Sequence, residues 1–263
     1  MWIDTHCHLD APEFAADRDA AVARAAAAGV HMAVLPAVDV ASFAAVAECA
    51  HRYGYAYALG IHPLAVSRSQ LAHLDDLRAA VAAALTDPRF VGIGEIGLDF
   101  LNGTADAAVQ EQFYAEQLRI AGHFQLPVIL HVRRSADRLL YHLRRSHVPG
   151  GIAHAFNGSE VQAQGFLDLD FRLGFGGSVT YDGSLRIRRF AAQLPDHALV
   201  VETDAPDIPP QWLRDGGTVL RNESAQLPRI ATVIAGLRGV TPEQLAKQTT
   251  RNAHAALPRL AHL

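Results

Sequence analysis

Short, nearly continuous apolar runs alternate along this chain with longer stretches whose apolar residues recur at helical spacing. The runs are Trp2 to His8, His31 to Ala37, Tyr55 to His62, Val91 to Glu95, Val128 to Val132, Gly151 to Phe156, Phe171 to Gly177 and Leu199 to Asp204. Lacking polar alternation, they predict eight strands buried on both faces, as in a parallel sheet. The stretches between them predict helices over Phe14 to Ala28, Ala41 to Tyr53, Leu71 to Leu85, Ala107 to Phe124, Ala136 to His147, Glu160 to Leu169 and Leu185 to Leu194. Two more are predicted over Ser224 to Leu237 and Thr241 to Ala256. Gly29 and Gly54 stand where helices should end, and Thr241-Pro242 stands where the last should begin.

Eight strands, each followed by a helix, predict an α/β fold of the TIM (β/α)8 barrel kind, in a single domain over residues 1–263. The alternative, an open doubly wound sheet, would carry a Gly-rich phosphate turn after its first strand. This chain has His6-Cys7-His8 there instead. The longest irregular segment, Asp207 to Glu223, follows the last strand, so a barrel would lay it over the mouth.

Composition narrows the class further. Half of the 263 residues are hydrophobic and 19% are charged, which excludes a disordered chain. The hydrophobic share is padded by 47 alanines, which favour helix and add little apolar surface. Two cysteines exclude a disulfide scaffold and suit a reducing compartment. No apolar run is long enough for a membrane span, and Met-Trp-Ile-Asp-Thr-His does not resemble a signal peptide. A cytoplasmic protein is expected, monomeric because no long apolar stripe asks for a partner. The net charge of -4 argues against a broad basic face for duplex nucleic acid. Arg186, Arg188 and Arg189 form a small basic run, which reads most simply as a solvated face.

The 14 histidines change this ordinary picture. In a barrel, active sites form at the C-terminal strand ends. His6 and His8 end the first predicted strand, Glu95 the fourth, and His131 lies at the end of the fifth. His154 lies on the sixth and Asp204 ends the eighth. Each interrupts an apolar run and would need a partner once buried. Imidazole nitrogen with carboxylate oxygen suits Zn²⁺, and also Mn²⁺ or Fe²⁺. Six ligands exceed the needs of one four-coordinate ion, and a central carboxylate such as Glu95 can bridge two. That points to a two-metal site, with ions roughly 3.5–4 Å apart, of the kind that hydrolyses phosphoesters or amides. His62, in Gly60-Ile61-His62-Pro63, faces the same rim as a substrate contact or a support for a ligand. The other nine histidines lie on helices, loops or the chain end and read as solvated.

Asp4-Thr5-His6-Cys7-His8-Leu9-Asp10, Gly60-Ile61-His62-Pro63, Gly94-Glu95-Ile96-Gly97-Leu98-Asp99, His131-Val132-Arg133 and Glu202-Thr203-Asp204-Ala205-Pro206 together resemble the TatD family of metal-dependent hydrolases. The likeness runs in order over nearly the whole chain. Arg133-Arg134-Ser135 and Ala205-Pro206-Asp207 are most similar to its YjjV-type branch. The resemblance implies a TIM barrel of the amidohydrolase superfamily and a DNase-like activity on a DNA end or a small phosphoester. It implies one metal held by His6, His8, Glu95 and Asp204, and a second by Glu95, His131 and His154. Two divalent ions, Zn²⁺, Mn²⁺ or Mg²⁺, are the expected cofactors. The chain departs from the family where Arg221-Asn222-Glu223 is followed by Ser224 rather than proline, and where Asn252 to Pro258 lacks a phenylalanine.

In the expected chemistry Glu95 and Asp204 are the catalytic carboxylates, Asp204 accepting a proton from the attacking water. Glu202, two residues earlier, would orient a ligand histidine or serve as a buried structural acid. Arg133 would grip a phosphate oxygen, with an ion pair to Asp99 as the alternative. Arg221, in the mouth loop, would make a further substrate contact. Ser159, after Asn157-Gly158, reads as a helix cap. An amide, lactone or aminoacyl-ester hydrolase on the same metals is the competing enzyme. A metal-binding scaffold is the competing non-enzyme, disfavoured by so complete a ligand set.

Overall fold

The computed structural model describes residues 1–102, 105–215 and 217–263. Eight parallel strands pair in sequence order: β1 (Trp2–Asp4), β2 (Val30–Pro36), β3 (Ala56–Leu59), β4 (Phe90–Asp99), β5 (Val128–Arg133), β6 (Gly151–Ala153), β7 (Phe171–Phe175) and β8 (Leu199–Val201). Helices α1 (Arg18–Ala27), α2 (Phe43–Tyr53), α3 (Ala72–Ala84), α4 (Ala107–Phe124), α5 (Ala136–Leu143), α6 (Glu160–Leu167), α7 (Leu185–Gln193), α8 (Leu227–Arg238) and α9 (Pro242–Ala256) surround them. This is the TIM barrel that the apolar runs predict. Among the described residues, no helix is long and apolar enough to cross a membrane.

Alternation along the strands divides the core in two. Ile3, Val34, Ala58, Val91, Ile129, Ile152 and Val200 form one cluster with Ala253, Ala256, Leu257 and Leu260, which close the barrel floor from α9 and the turn after it. Leu35, Leu59, Phe90, Leu130, Leu173 and Val201 belong to the larger cluster shared with the helices. Each fully buried aliphatic side chain contributes about 1.5–3 kcal/mol. The same alternation carries the residue two places after each of Ile129, Ile152 and Val200 back to the barrel axis. Those residues are His131, His154 and Glu202.

Strand ends differ from the sequence-based expectation in one informative way. The first, sixth and eighth strands stop before their polar residues, but β4 runs four residues beyond its expected end at Glu95. Its glycines look like a terminus and instead allow close approach to β5. A Cβ on Gly94 would lie 2.7 Å from that of Ile129, and one on Gly97, at φ 141°, would meet the His131 carbonyl. The register with β5 shifts between Ile93 and Ile96, which sets Glu95 out of simple alternation. Elsewhere the caps match the chemistry. Thr241 and Gln244 form a capping box at α9, and Ser159 and Gln162 form another at α6.

The barrel closes beyond the ends of β1 and β8. Thr5 N–H donates to the Val201 carbonyl at 3.2 Å, Asp204 N–H to the His6 carbonyl at 2.9 Å and His8 N–H to the Ala205 carbonyl at 2.7 Å. Asp4, fully buried, reinforces this seam by accepting from Thr203 N–H at 2.9 Å, the Thr203 hydroxyl at 2.6 Å and the Ser224 hydroxyl at 2.7 Å. A proline at position 224 could not make the last of these bonds. Asn222, also fully buried, donates Nδ2–H to the carbonyls of Thr203 at 2.8 Å and Asp207 at 2.9 Å. The mouth segment is thus tied to the seam, although Gly216 within it lies outside the described residues.

Asn222→Ala leaves those buried carbonyls unpaired. It should lower stability by about 2–3 kcal/mol, read from urea or thermal midpoints. A loss below about 0.5 kcal/mol would show that Asn222 does not hold the segment.

Candidate metal centre

Side chains from five strand ends meet at the mouth of the barrel around Glu95, whose exposure is 1%. Each of its carboxylate oxygens faces a different pair of imidazoles. Oε2 lies 3.0 Å from His6 Nε2 and 3.5 Å from His8 Nε2. Oε1 lies 2.9 Å from His131 Nδ1 and 3.4 Å from His62 Nε2. Asp204 completes the first side, with Oδ1 3.5 Å from His6 Nε2, 3.8 Å from His8 Nε2 and 3.6 Å from His154 Nε2. Its backbone holds φ at 60°, an uncommon value for a residue other than glycine, secured by the bond to His6.

The donor set fits a cation. His6 Nε2 and His8 Nε2 are 3.2 Å apart, a spacing at which one proton or one cation can be shared between the two nitrogens. Three groups have ligand atoms within 4.8 Å of one another: His6, His8 and Asp204; His6, Glu95 and His154; and His62, Glu95 and His131. The six expected ligands therefore share one site. His154 nevertheless groups with His6 and Glu95, while His131 groups with Glu95 and His62.

Hydrogen bonding gives His62 a role distinct from that of the other histidines. Leu64 N–H donates to His62 Nδ1 at 3.1 Å, so the neutral ring carries its proton on Nε2. That N–H points at His131 Nδ1, 3.1 Å away. His62 is thereby a donor toward the cluster. Burial holds its pKa below the usual histidine value against the pull of Glu95, which keeps the ring neutral.

Two carboxylates stand behind His131 and His154. His131 Nε2 is 3.0 Å from Asp99 Oδ2, and His154 Nδ1 is 2.9 Å from Glu202 Oε1. The first contact is a hydrogen bond. The second is a charge contact, since His154 Nδ1 has no aligned acceptor and Glu202 Oε1 takes Ala155 N–H at 2.6 Å. Glu202 stands beside His154, packed where a side chain on Gly174 would collide with it. Asp99 was legible only as a possible partner of Arg133, because the predicted strand ended too early to aim it inward.

The electrostatics follow from crowding acids and imidazoles out of water. Burial would raise Glu95, but His62, His6 and His131 hold it well below the usual carboxylate range. Asp204 is lowered in the same way by His154, His6 and His8, against its own burial. Burial would lower His8, but the Glu95 hydrogen bond and the charges of Glu95, Asp204 and Asp10 push it up to about 9.

The expected substrate contacts divide. Arg133 and Arg134 are exposed at the tip of β5, and neither guanidinium has a partner among the described residues. Asp99, the alternative partner for Arg133, is occupied by His131. Arg221 instead donates through Nη1 to Asp17 Oδ1 at 2.7 Å and the Glu13 carbonyl at 2.6 Å, and through Nη2 to Asp17 Oδ2 at 2.9 Å. Its fork is filled by protein beside α1 rather than held open for a phosphate. Of the arginines in the basic run, Arg186 is bound to Asn157 Oδ1 and Arg189 to Glu160.

Known proteins share this architecture. A YjjV crystal structure from Escherichia coli superposes with a TM-score of 0.91 at 36% identity, covering 98% of each chain. In sequence, the uncharacterized metal-dependent hydrolase YjjV of Escherichia coli is 37% identical over 96% of both chains. The 3'-5' ssDNA/RNA exonuclease TatD of Salmonella typhimurium is 36% identical over 95% of this chain and 96% of its own. Residues 3–258 match the family described as TatD related DNase. The chain belongs to this family of metal-dependent hydrolases.

Proposed function

We propose that the chain is a two-metal phosphodiesterase that works on the end of single-stranded nucleic acid or on a small phosphoester. The observation that carries this reading is the division of Glu95, one oxygen toward His6 and His8 and the other toward His131. A carboxylate so placed could serve two cations, one held by His6, His8 and Asp204 and the other by His131, with His154 grouped beside His6 and Glu95. Divalent ions there supply the positive charge that makes a water acidic enough to attack and that offsets charge on a phosphate.

The protein's own groups do the rest. Asp204 Oδ2 has no hydrogen-bond partner among the described residues, and the lowered pKa keeps the group ionised, so this oxygen accepts the proton of the attacking water. Once a cation takes the His131 Nδ1 lone pair, the His62 Nε2–H that points there would be released to donate to a substrate oxygen in front of Glu95. Arg133, two residues beyond His131 on the same strand, holds a phosphate oxygen, with Arg134 beside it. The unspent guanidiniums favour a phosphate substrate over an acyl ester, which has no anion for them to grip. Relatives named as 3'-5' ssDNA/RNA exonucleases support a nucleic-acid strand.

Metal-loaded protein should hydrolyse single-stranded oligonucleotides faster than acyl esters when the two are assayed in parallel. Arg133→Ala should raise KM on the oligonucleotide about 10- to 100-fold, as expected for one lost charge-assisted contact. Faster acyl-ester turnover, unchanged by that substitution, would contradict the phosphodiesterase reading.

Metal uptake should depend on pH. His8, with a pKa of about 9, carries a proton at neutral pH that must leave before Nε2 can ligate. Below that pKa the proton competes with the metal, so apparent affinity falls as pH drops from 9 toward 6 and proton release accompanies binding. Calorimetry in buffers of different ionisation enthalpy measures that release. Affinity independent of pH over this range would show that His8 is not a ligand.

A further inference from the structure

Beyond the ligands themselves, we infer that Asp99 is a positioning residue that fixes the tautomer of His131 and so decides whether the far half of the centre can hold an ion. This rests on the two-metal reading. A directed series of hydrogen bonds crosses the site. Leu64 N–H donates to His62 Nδ1 at 3.1 Å, His62 Nε2–H to His131 Nδ1 at 3.1 Å, and His131 Nε2–H to Asp99 Oδ2 at 3.0 Å. The series starts at a backbone amide, which can only donate, and ends at a carboxylate, which can only accept. Asp99 thus holds a proton on His131 Nε2, and with a cation beside Glu95 the Nδ1 lone pair is the one left to ligate; without a cation Nδ1 can instead donate to Glu95 Oε1, 2.9 Å away. Histidine ligands commonly have such an acceptor behind them. His6 and His8 have none, since their buried Nδ1 atoms lack partners among the described residues.

The second oxygen of Asp99 makes the idea sharply testable. Oδ1 accepts Leu101 N–H at 2.9 Å and Asn102 N–H at 2.6 Å. In Asp99→Asn those two donors keep the amide oxygen in place, so the NH2 group must turn toward His131 Nε2. A donor there demands a lone pair on Nε2 and drives the proton to Nδ1, where Glu95 accepts it and the ligand atom is blocked. Asp99→Ala removes the acceptor without installing a donor, leaving His131 free to take either tautomer. The nearly isosteric change should therefore harm metal binding more than the truncation.

The test is a titration of wild type, Asp99→Asn and Asp99→Ala with Mn²⁺, following bound metal per chain by equilibrium dialysis. Wild type should bind two equivalents, Asp99→Ala should weaken one of them about 10-fold, and Asp99→Asn should weaken the same one on the order of 100-fold or abolish it. If Asp99 only held the loop after β4, asparagine would be the milder change, and that order would overturn the inference while leaving the two-metal reading intact. A wild type that binds no metal would overturn both. Histidine ¹⁵N NMR of the Zn²⁺-loaded wild type gives a check that needs no variant: His131 should show a protonated Nε2 and a ligated Nδ1, and ligation through Nε2 would refute the assignment.

Discussion

A carboxylate buried to 1% exposure must find positive charge or give up its own, and the whole mouth of this barrel is organised around that requirement at Glu95. Removing one partner of a buried ion pair typically costs 3–5 kcal/mol, because the other charge is then left uncompensated. Glu95 meets the requirement twice, with an imidazole within 3.0 Å of each oxygen. The imidazoles are shared in turn with Asp204, Asp99 and Glu202, so charges alternate across the site. Such a lattice balances only if something cationic holds its centre, either protons on the histidines or metal ions in their place. The raised pKa of His8 and the close approach of His6 and His8 are two expressions of this one constraint.

Closure of the barrel and construction of the site are the same event. The backbone bonds that join β1 to the chain beyond β8 run through His6, His8, Asp204 and Ala205. Three of the four are candidate ligands. Asp4 and Asn222 then hold this seam through Thr203. A lesion in the seam would cost stability and displace ligands together. This coupling explains why polar groups as deeply buried as Asp4, Thr203 and Asn222 sit beside a centre whose ligands need sub-ångström placement.

Much of this was legible in the sequence because two periodicities coincide. Strand alternation sends every second residue inward, and the barrel places active groups at one end of each strand. A histidine one step past an apolar run, such as His131 or His154, can therefore be read directly. Glycine hid the length of β4, since Gly94 and Gly97 serve close packing against β5 and yet look like a strand terminus. With that strand cut short at Glu95, Asp99 could not be aimed at His131. Arg221 misled for a different reason. Its motif lies in the mouth segment, but the direction of a long side chain depends on neighbours distant in sequence, here Asp17 and Glu13. Ser224 shows the converse, where a departure from the family pattern supplies a hydroxyl that Asp4 uses.

Glu95 as the bridge between two cations is the claim on which the chemistry stands, and anomalous diffraction from crystals grown or soaked with Mn²⁺ tests it most directly. Two peaks should flank Glu95, one toward His6, His8 and Asp204 and the other toward His131, separated by roughly 3.5–4 Å. A single peak at the mouth, or two that both lie on one side of the carboxylate, would contradict it.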